Sequence, residues 1–535
     1  MIDPLASSTC EDRRVEAMEA AERRENTMIA AAAIAMVIHF LHLHVVIGRR
    51  VVFEDQAVLW DVARDLRRGD VYQIDFPGQF YDSSLEAVPA ALLGTLGLSD
   101  PTAFSVGMFL MALLPWSALA WALRRRDQPW LAAATLLLPI AMTVDNSAVR
   151  LLWVTAVPRQ LAVLGVAAAL GLRSSWRRWV VFVSLAGTGV LLDTSTVLLV
   201  GPVGVWLLAA ERKAFSWRGA LAGVVPPLVL ALGRALNHDA HPAYDLHPSP
   251  GIEFARKPIE WHIRNPTRAL REYGPEALTT PLLRTVAVLL AVGAVMVLVI
   301  RRGSLEVRLA AFTAASLLAL FFSSIGSLRS AEFAVALPSV GRGLMALPFL
   351  AVVLVAMTGL SPRGQAAIAA GVGVLAIAGI GVRAVTDSPG DFVEEVMATG
   401  AIDLVELDLI EQRCEDLEEV MADHPDAVVL SWSSTTAWSC SALIEDAIGS
   451  TATVIFPIYE RRTWELERVW DRGQLDWIVW GHGQDGCNFA PGMFTCELVA
   501  NDIVVMGAPS RLTLAQVVPL VGLQLRPLPD GFPAN

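Results

Sequence analysis

Long apolar runs alternate with short charged connectors through the first 384 residues of the chain. Runs of this length and polarity are typical of helices whose backbone polar groups must all be satisfied inside a lipid bilayer. The eleven runs cover 28–47, 102–123, 129–144, 158–172, 178–193, 195–210, 218–236, 285–300, 307–323, 341–359 and 364–384. The predicted fold class is therefore mainly α: a polytopic membrane helix bundle with about eleven spans, the domain 28–384.

The positive charges of the short connectors predict how this bundle is oriented. Arginine and lysine collect on the cytoplasmic side of membrane proteins. Five basic connectors follow every second predicted span, which places all five on the same side of the membrane. These connectors are 124–126, 173–178, 212–213, 301–302 and 363. Arg49 and Arg50 argue for the other side, but one pair does not outweigh five connectors. We expect an N-inside, C-outside protein of the cell membrane, with residues 1–27 as a cytoplasmic leader.

Composition supports the membrane class and separates the tail, residues 385–535, from the bundle. The chain is 54% hydrophobic and only 18% charged, with a mean hydropathy of +0.51, which excludes an ordinary soluble globule. The tail holds 25 acidic and 7 basic residues, a net charge of −18, whereas the whole chain carries −12. An acidic domain without lysine is a poor partner for nucleic acid or anionic lipid, so no nucleic-acid function is expected.

The tail has a hydrophobic pattern of its own. A helical pattern at 403–422 comes first, and short apolar segments that are typical of strands follow at 427–432, 453–459, 476–480 and 502–506. Strands that alternate with helices predict a small α/β domain with a partly parallel sheet. The topology places this domain outside the cytoplasm.

The cysteines agree with that placement. Cys10 lies in the leader, and the other four are in the tail: Cys414, Cys440, Cys487 and Cys496. Four cysteines in an extracytoplasmic domain allow three pairings, of which we expect Cys414–Cys440 and Cys487–Cys496. Four reduced and buried thiols are the alternative. The spacings do not favour a zinc site.

An acidic pair, Glu54-Asp55, follows the first apolar run and opens the first outer loop, residues 48–101. Apolar positions at helical spacing predict an amphipathic helix at 56–68 that lies at the membrane interface, and a second short helix at 85–98. Ionisable groups this close to a membrane are often functional. We therefore take the pair as the leading candidate for catalytic chemistry.

The later outer loops add one more carboxylate and several cations. Asp145 lies in the second outer loop, and Arg159 follows that loop. The fourth outer loop, 237–284, is large and polar, and Arg329 and Arg342 come from the fifth loop and its end. Carboxylates from early loops and cations from later ones suit a ligand that needs a base at one end and an anion clamp at the other. Each of these arginines could equally be solvated or salt-bridged.

With these elements in place, the sequence resembles the GT-C superfamily of multi-pass membrane glycosyltransferases, which includes protein O-mannosyltransferases and aminoarabinose transferases. The resemblance depends on the acidic pair directly after the first span, on the two surface helices of loop one and on Asp145 in the second outer loop. The bundle followed by an outer α/β domain is also similar to that group.

The resemblance implies transfer of a sugar from a polyprenyl-phosphate-linked donor to an extracytoplasmic acceptor, which could be a protein, glycan or lipid, with inversion at the anomeric carbon. Asp55 would act as the base, with Glu54 and Asp145 in support. Arg329, Arg342 and Arg159 would bind the donor phosphate. A divalent cation, Mg or Mn, held by Glu54 and Asp145 is a further expectation, because some members of the superfamily depend on a metal.

A non-enzymatic membrane protein is the alternative, either a transporter or an anchor that displays the tail as a binding domain. Transporters commonly show internal repeats and charged or broken sites within their spans. The first half of this chain is not clearly repeated in the second, and its ionisable residues cluster in the loops. These observations favour an enzyme over a carrier but leave the anchor open.

Overall fold

The structure is a computed structural model, and the side chains at several element ends are not described. It describes residues 4–52, 54–69, 84–142, 156–210, 212, 215–240, 252–254, 274–275, 277–278, 280–326, 346–386, 405–423, 428–431, 439–440, 443, 453–455, 477–480, 495–500 and 503–507.

Every one of the eleven predicted apolar runs contains a helix. The bundle helices are α1 (Pro4–Leu41), α4 (Asp100–Arg125), α5 (Pro129–Ala141), α6 (Ala156–Gly171), α7 (Ser175–Leu192), α8 (Val197–Ala210), α9 (Trp217–Ala240), α10 (Pro281–Arg302), α11 (Leu305–Ser323), α12 (Ala346–Met357) and α13 (Pro362–Thr386). Within the described residues, five segments are long and apolar enough to cross a membrane: Met18–Val45, Asp100–Arg125, Trp217–Leu236, Pro281–Arg302 and Pro362–Val382. The protein is thus a helical membrane protein, and helix α1 joins the predicted leader to the first span without a break.

Close helix packing depends on small residues. A Cβ added at Gly189 in α7 would lie 2.6 Å from the carbonyl oxygen of Pro158, near the start of α6. The end of α7 therefore packs against the start of α6, so the two helices are antiparallel. Gly171 at the end of α6 meets Trp121 and Ala122 near the end of α4, so α4 and α6 run in the same direction.

Loop one forms a compact layer at one end of the bundle. It consists of strand β1 (Val51–Val52), helix α2 (Glu54–Arg68), a 3₁₀ turn at Ser84–Glu86 and helix α3 (Ala87–Gly94), which packs on α2 and α4. The predicted helix at 56–68 is present, and its position at the membrane interface stays a prediction. Its polar residues Asp61, Arg64 and Asp65 are buried together with Leu59 and Trp60, because α3 and α4 cover it.

Two short strands join outer loops four and five. Strand β2 (Ile252–Phe254) pairs antiparallel with β3 (Ser324–Gly326), and Ile252 faces Gly326. A single bridge between Met142 and Pro275 joins the start of loop two to loop four. Segments that are distant in sequence therefore converge beyond the ends of the bundle helices.

The tail contains a helix and a mixed sheet. Strand β4 (Val405–Glu406) leads into helix α14 (Leu407–Asp423), which buries residues at helical spacing. The sheet strands are β5 (Val428–Ser431), β6 (Thr453–Ile455), β7 (Trp477–Trp480), β8 (Thr495–Ala500) and β9 (Ile503–Gly507), in the spatial order β6-β5-β7-β9-β8. Strand β5 is parallel to β6 and β7, whereas β9 is antiparallel to β7 and β8. The partly parallel sheet expected from the sequence is thus present among the described strands.

Candidate functional site

The acidic pair occupies the first two positions of a helix. Glu54 and Asp55 begin α2, and the side chains of both lie outside the described part of the structure. Backbone N–H groups point out of a helix at its N-terminus, and the helix dipole favours negative charge there.

Buried ion pairs fix the rest of α2. Arg64 is 1% exposed and donates to Asp61, and its Nη2 lies 3.4 Å from a carboxylate oxygen of Asp65. One turn later Arg67 pairs with Asp100 at the start of α4, through two hydrogen bonds of which one measures 3.1 Å. Charges removed from water are tolerated only when they are paired in this way. The Arg67–Asp100 pair therefore ties the last turn of α2 to the start of α4, while the Arg64 pairs lie within α2 itself.

Another buried acid of loop one lies beside the bundle. Glu86 ends the 3₁₀ turn, is 1% exposed, and the turn packs on α6. Neither Arg64 nor Glu86 was predicted from the sequence as a buried charged residue. An Asp61–Arg64 pair three residues apart on an amphipathic helix is typical of a solvent-exposed face. The sequence of the helix itself does not show that other elements cover this polar face as well.

A second polar centre lies where α6, α7, α8 and α12 meet. Arg159, in the first turn of α6, donates through Nη2 to Asp193 at 3.2 Å, and both side chains are nearly buried. The other carboxylate oxygen of Asp193 accepts the backbone N–H of Ser195 at 2.8 Å. Thr196 donates its hydroxyl to the backbone carbonyl of Asp193. Asp193 thus caps the 3₁₀ turn Thr194–Thr196 and at the same time orients the Arg159 guanidinium.

A small pocket of about 20 Å³ opens beside this ion pair. Its lining combines two alcohols and one guanidinium with an apolar floor: Arg159, Ala162, Val163, Ser195, Thr196, Leu199, Ala346 and Phe349. The Ser195 hydroxyl is buried and has no hydrogen-bond partner among the described residues. Whole-ligand pockets usually measure about 300–1,000 Å³. This pocket is therefore large enough only for a water molecule or one small group of a ligand.

Helix directions place this pocket and the acidic pair at the same end of the bundle. Arg124 at the end of α4 contacts Glu22 near the start of the first span, so α1 and α4 are antiparallel. The end of α1, which leads to α2, therefore lies at the starting end of α4. Helix α6 runs parallel to α4, so Arg159 near its start is also at that end. The contact between the Ser84–Glu86 turn and α6 agrees with this arrangement.

Several predicted site residues lie outside the described part of the chain. They are Asp145, Arg329, Arg342 and Cys487, together with the side chains of Glu54, Asp55 and Cys496. Arg159 is described, and its burial and its pairing with Asp193 were not foreseen. The Glu54–Asp145 metal pair stays a prediction. Among the side chains that the structure describes, no group of three or more His, Cys, Asp or Glu is placed to hold a metal.

Among the described residues, Cys414 and Cys440 of the tail form a disulfide, which is consistent with the first of the two expected pairings. It joins helix α14 to the short helical segment at 439–440, which follows β5. The second expected pairing, Cys487–Cys496, stays a prediction.

No protein-family model matches this sequence. No curated protein matches it either. Two solved structures are similar in fold. The crystal structure of ArnT from Cupriavidus metallidurans in the apo state is 14% identical with a TM-score of 0.50, and covers 91% of this chain and 98% of that chain. The same protein bound to undecaprenyl phosphate is 13% identical with a TM-score of 0.51, and covers 90% of this chain and 98% of that one. ArnT is an aminoarabinose transferase of the GT-C family, and the likeness confirms a GT-C-like fold.

Proposed function

We propose that this protein is a membrane glycosyltransferase that takes a sugar from a polyprenyl-phosphate-linked donor. One observation carries the proposal: nine-tenths of the chain matches the fold of a transferase whose structure holds undecaprenyl phosphate.

In the proposed reaction, Asp55 accepts the proton of an acceptor hydroxyl as the hydroxyl oxygen attacks the anomeric carbon of the sugar. The bond from that carbon to the phosphate oxygen breaks, and polyprenyl phosphate leaves with the bonding electron pair. Attack from the face opposite the phosphate inverts the anomeric configuration. The position of Asp55 in the first turn of α2 supports this role, since the helix N-terminus favours its charged form.

The negative charge on the leaving phosphate needs more than Arg159. Asp193 already balances the charge of that guanidinium at 3.2 Å, so the pair as a whole attracts an anion only weakly. Arg342 precedes the pocket residue Ala346 by four positions, and four residues of chain reach at most about 14 Å. Arg329 follows the end of β3 by three positions. We assign Arg329 and Arg342 as the main phosphate cations, with Arg159 beside them.

Glu54 and Asp145 are proposed to support Asp55 or to hold a divalent cation. The proposed domains are residues 1–27, 28–384 and 385–535. The bundle is oriented N-inside and C-outside with about eleven spans, so the tail and the acceptor are extracytoplasmic. A hydroxyl of a protein, a glycan or a lipid is the acceptor class.

Asp55→Asn and its neighbour Glu54→Gln test the function. We expect both variants to accumulate in the membrane, and Asp55→Asn to abolish the sugar modification in the cell-envelope glycan profile, because an amide cannot accept the proton. Glu54→Gln should retain a measurable fraction. In lipid nanodiscs, wild-type protein should bind undecaprenyl phosphate more tightly than undecaprenol. An unchanged glycan profile in folded Asp55→Asn, with equal binding of both lipids, would favour the non-enzymatic anchor instead.

A further inference from the structure

The first residues of the tail form a strand with the segment that leads into α2. Strand β4 pairs antiparallel with β1: Val52 faces Val405, and Val51 faces Glu406. The backbone N–H of Leu407 extends the pairing by donating to the carbonyl oxygen of Arg50 at 2.9 Å. Glu54 and Asp55 follow Val52 by only two and three positions. The tail therefore holds the backbone directly before the acidic pair.

A side chain reinforces this backbone pairing. Leu407, the first residue of α14, is 4% exposed and belongs to the same hydrophobic cluster as Val51, Val52 and Trp60 of loop one. It is the tail's contribution to that cluster among the described residues. Burial of this side chain away from water stabilises the short strand pair beside it.

The rest of α14 is attached to the tail sheet. Its buried residues Ile410, Cys414, Leu417 and Met421 recur at intervals of three and four, which places them on one side of the helix. The helix contacts strand β9, and the Cys414–Cys440 disulfide ties it to the chain after β5. Helix α14 is thus a rigid link between two parts of the protein. Its first residue packs with loop one, and one side of the helix packs on the tail sheet.

We propose that residues 405–407 are a brace that positions the start of α2, so that the tail sets the rate of the reaction at Asp55. This inference rests on the proposed function. Catalytic groups must be held within fractions of an ångström, and a misplacement of 1 Å can lower a rate about 100-fold. A two-residue strand next to the acidic pair is well placed to provide that constraint. The brace residues are positioning residues, since they act through α2.

Leu407→Ala and its matched control Leu409→Ala test the brace in the full-length protein. Both remove a leucine from the first turn of α14, but Leu409 is 41% exposed and lies outside the loop-one cluster. The assay follows release of undecaprenyl phosphate from the sugar-linked lipids extracted from the producing cells. We expect Leu407→Ala to lower the maximal rate roughly ten-fold and to change the half-saturating lipid concentration by less than about two-fold, while Leu409→Ala matches wild type.

A cross-link provides the rescue. Val52 and Val405 are directly opposite each other, and opposed residues of antiparallel strands have Cα atoms about 4.5–5.5 Å apart, within the range that a disulfide bridges. Oxidised Val52→Cys/Val405→Cys should therefore restore most of the rate in the Leu407→Ala background. A merely destabilised tail would not respond to a bond at that point. If Leu407→Ala and Leu409→Ala have the same rate, or the cross-link forms without rescue, the brace is wrong.

Amide hydrogen exchange separates this inference from the proposed function. Residues 51–60 should exchange faster in Leu407→Ala than in wild type or Leu409→Ala, whatever reaction the protein performs. If the wild-type protein releases no undecaprenyl phosphate while this exchange difference is seen, the proposed function fails and the structural brace stands. Equal exchange in all three proteins would overturn the brace, even in an active enzyme.

Discussion

Among the residues that line the pocket beside Arg159, Ser195 is the most informative about a bound ligand. Its hydroxyl is buried and lacks a hydrogen-bond partner among the described residues, whereas the hydroxyl of the adjacent Thr196 donates to the carbonyl oxygen of Asp193. An unsatisfied buried hydroxyl destabilises the protein that carries it. Its presence in a pocket lining is explained if a ligand supplies the missing partner.

Ser195→Ala and Thr196→Val form a matched pair for this explanation. Ser195→Ala should leave the thermal stability unchanged or slightly higher, because no hydrogen bond is lost, and should weaken undecaprenyl phosphate binding several-fold. Thr196→Val should lower the free energy of unfolding by about 1 kcal/mol through its lost hydrogen bond. Unfolding curves and lipid titrations in nanodiscs measure both. Tight lipid binding by Ser195→Ala would show that the hydroxyl does not face the ligand.

Arg64 makes a prediction about stability. Its charge is buried between Asp61 and Asp65, and removal of one partner from a buried pair costs about 3–5 kcal/mol because the other charges stay behind. Arg64→Met should therefore unfold the loop-one layer at markedly lower denaturant concentration. Arg308→Met, at an exposed position of α11, should change stability by less than about 0.5 kcal/mol. Denaturant titration followed by tryptophan fluorescence compares the two, and similar midpoints would contradict the buried pair.

At the residue scale, the sequence indicated the cation Arg159 but not the carboxylate that holds it. Asp193 lies at the junction of two apolar runs, where the sequence alone shows only a polar residue in a short connector. Its pairing with Arg159 depends on α6 and α7 packing side by side, a relation that hydropathy does not encode. Arg64 was missed for a similar reason, since amphipathic spacing is the same for a helix on a surface and for a helix that other elements cover.

Among the elements, the antiparallel contact of α6 and α7 sets the geometry of the Arg159–Asp193 pair. Gly189→Ala should destabilise this contact, because its Cβ would lie 2.6 Å from the Pro158 oxygen and 3.2 Å from the Ala162 nitrogen. The helices must separate, which displaces Arg159 from Asp193. Gly293→Ala in α10 is the control, since nothing lies within 4 Å of the added Cβ.

The control should be neutral or stabilising by up to about 1 kcal/mol, because alanine favours a helix over glycine. Thermal unfolding in detergent measures the difference between the two variants. Equal melting temperatures for Gly189→Ala and Gly293→Ala would mean that the α6–α7 contact is looser than described.

Helix α14 should respond to pH through Glu411. Burial raises the pKa of this carboxyl, and the nearby charges of Asp408 and Glu415 raise it further, against a smaller opposing effect of Arg49. The folded state therefore binds a proton more strongly than the unfolded chain. Its stability should rise as the pH falls through the raised pKa toward 4.5, the ordinary glutamate value, and should decline again as the pH rises.

Glu411→Gln should flatten this pH dependence, while Glu419→Gln, exposed near the other end of α14, should keep the wild-type slope. Tail unfolding followed by hydrogen exchange between about pH 4.5 and 7 gives the comparison. A slope that is steeper in Glu411→Gln than in wild type would contradict the sign of the effect.

The elements themselves were largely predictable. Each apolar run contains a helix, and the tail alternates strands with a helix, because local hydrophobicity and periodicity determine both. The pairings β1–β4 and β2–β3 were not predictable, since two- or three-residue strands carry no pattern and their partners lie in distant loops. These pairings bring distant segments of the chain together.

For the whole molecule, the orientation of the bundle is the decisive expectation. A reporter enzyme that is active only outside the cytoplasm should be active when it is fused after residue 535 and inactive when it is fused before residue 1. A reporter that is active only in the cytoplasm should give the reverse result. Fusions within the basic connector 301–302 provide an internal control on the cytoplasmic side. A cytoplasmic C-terminus would remove the tail from the side where an extracytoplasmic acceptor is available.

The pairing of β1 with β4 also has a consequence for biosynthesis. Nearly the whole membrane bundle is translated between Val51 and its partner Glu406. Loop one leaves the ribosome early, yet its hydrophobic cluster stays incomplete until Leu407 has been made. A nascent chain, or one truncated before residue 405, therefore lacks the β1–β4 pairing however well its helices have inserted. The assembly of loop one thus depends on a segment that is translated after the bundle.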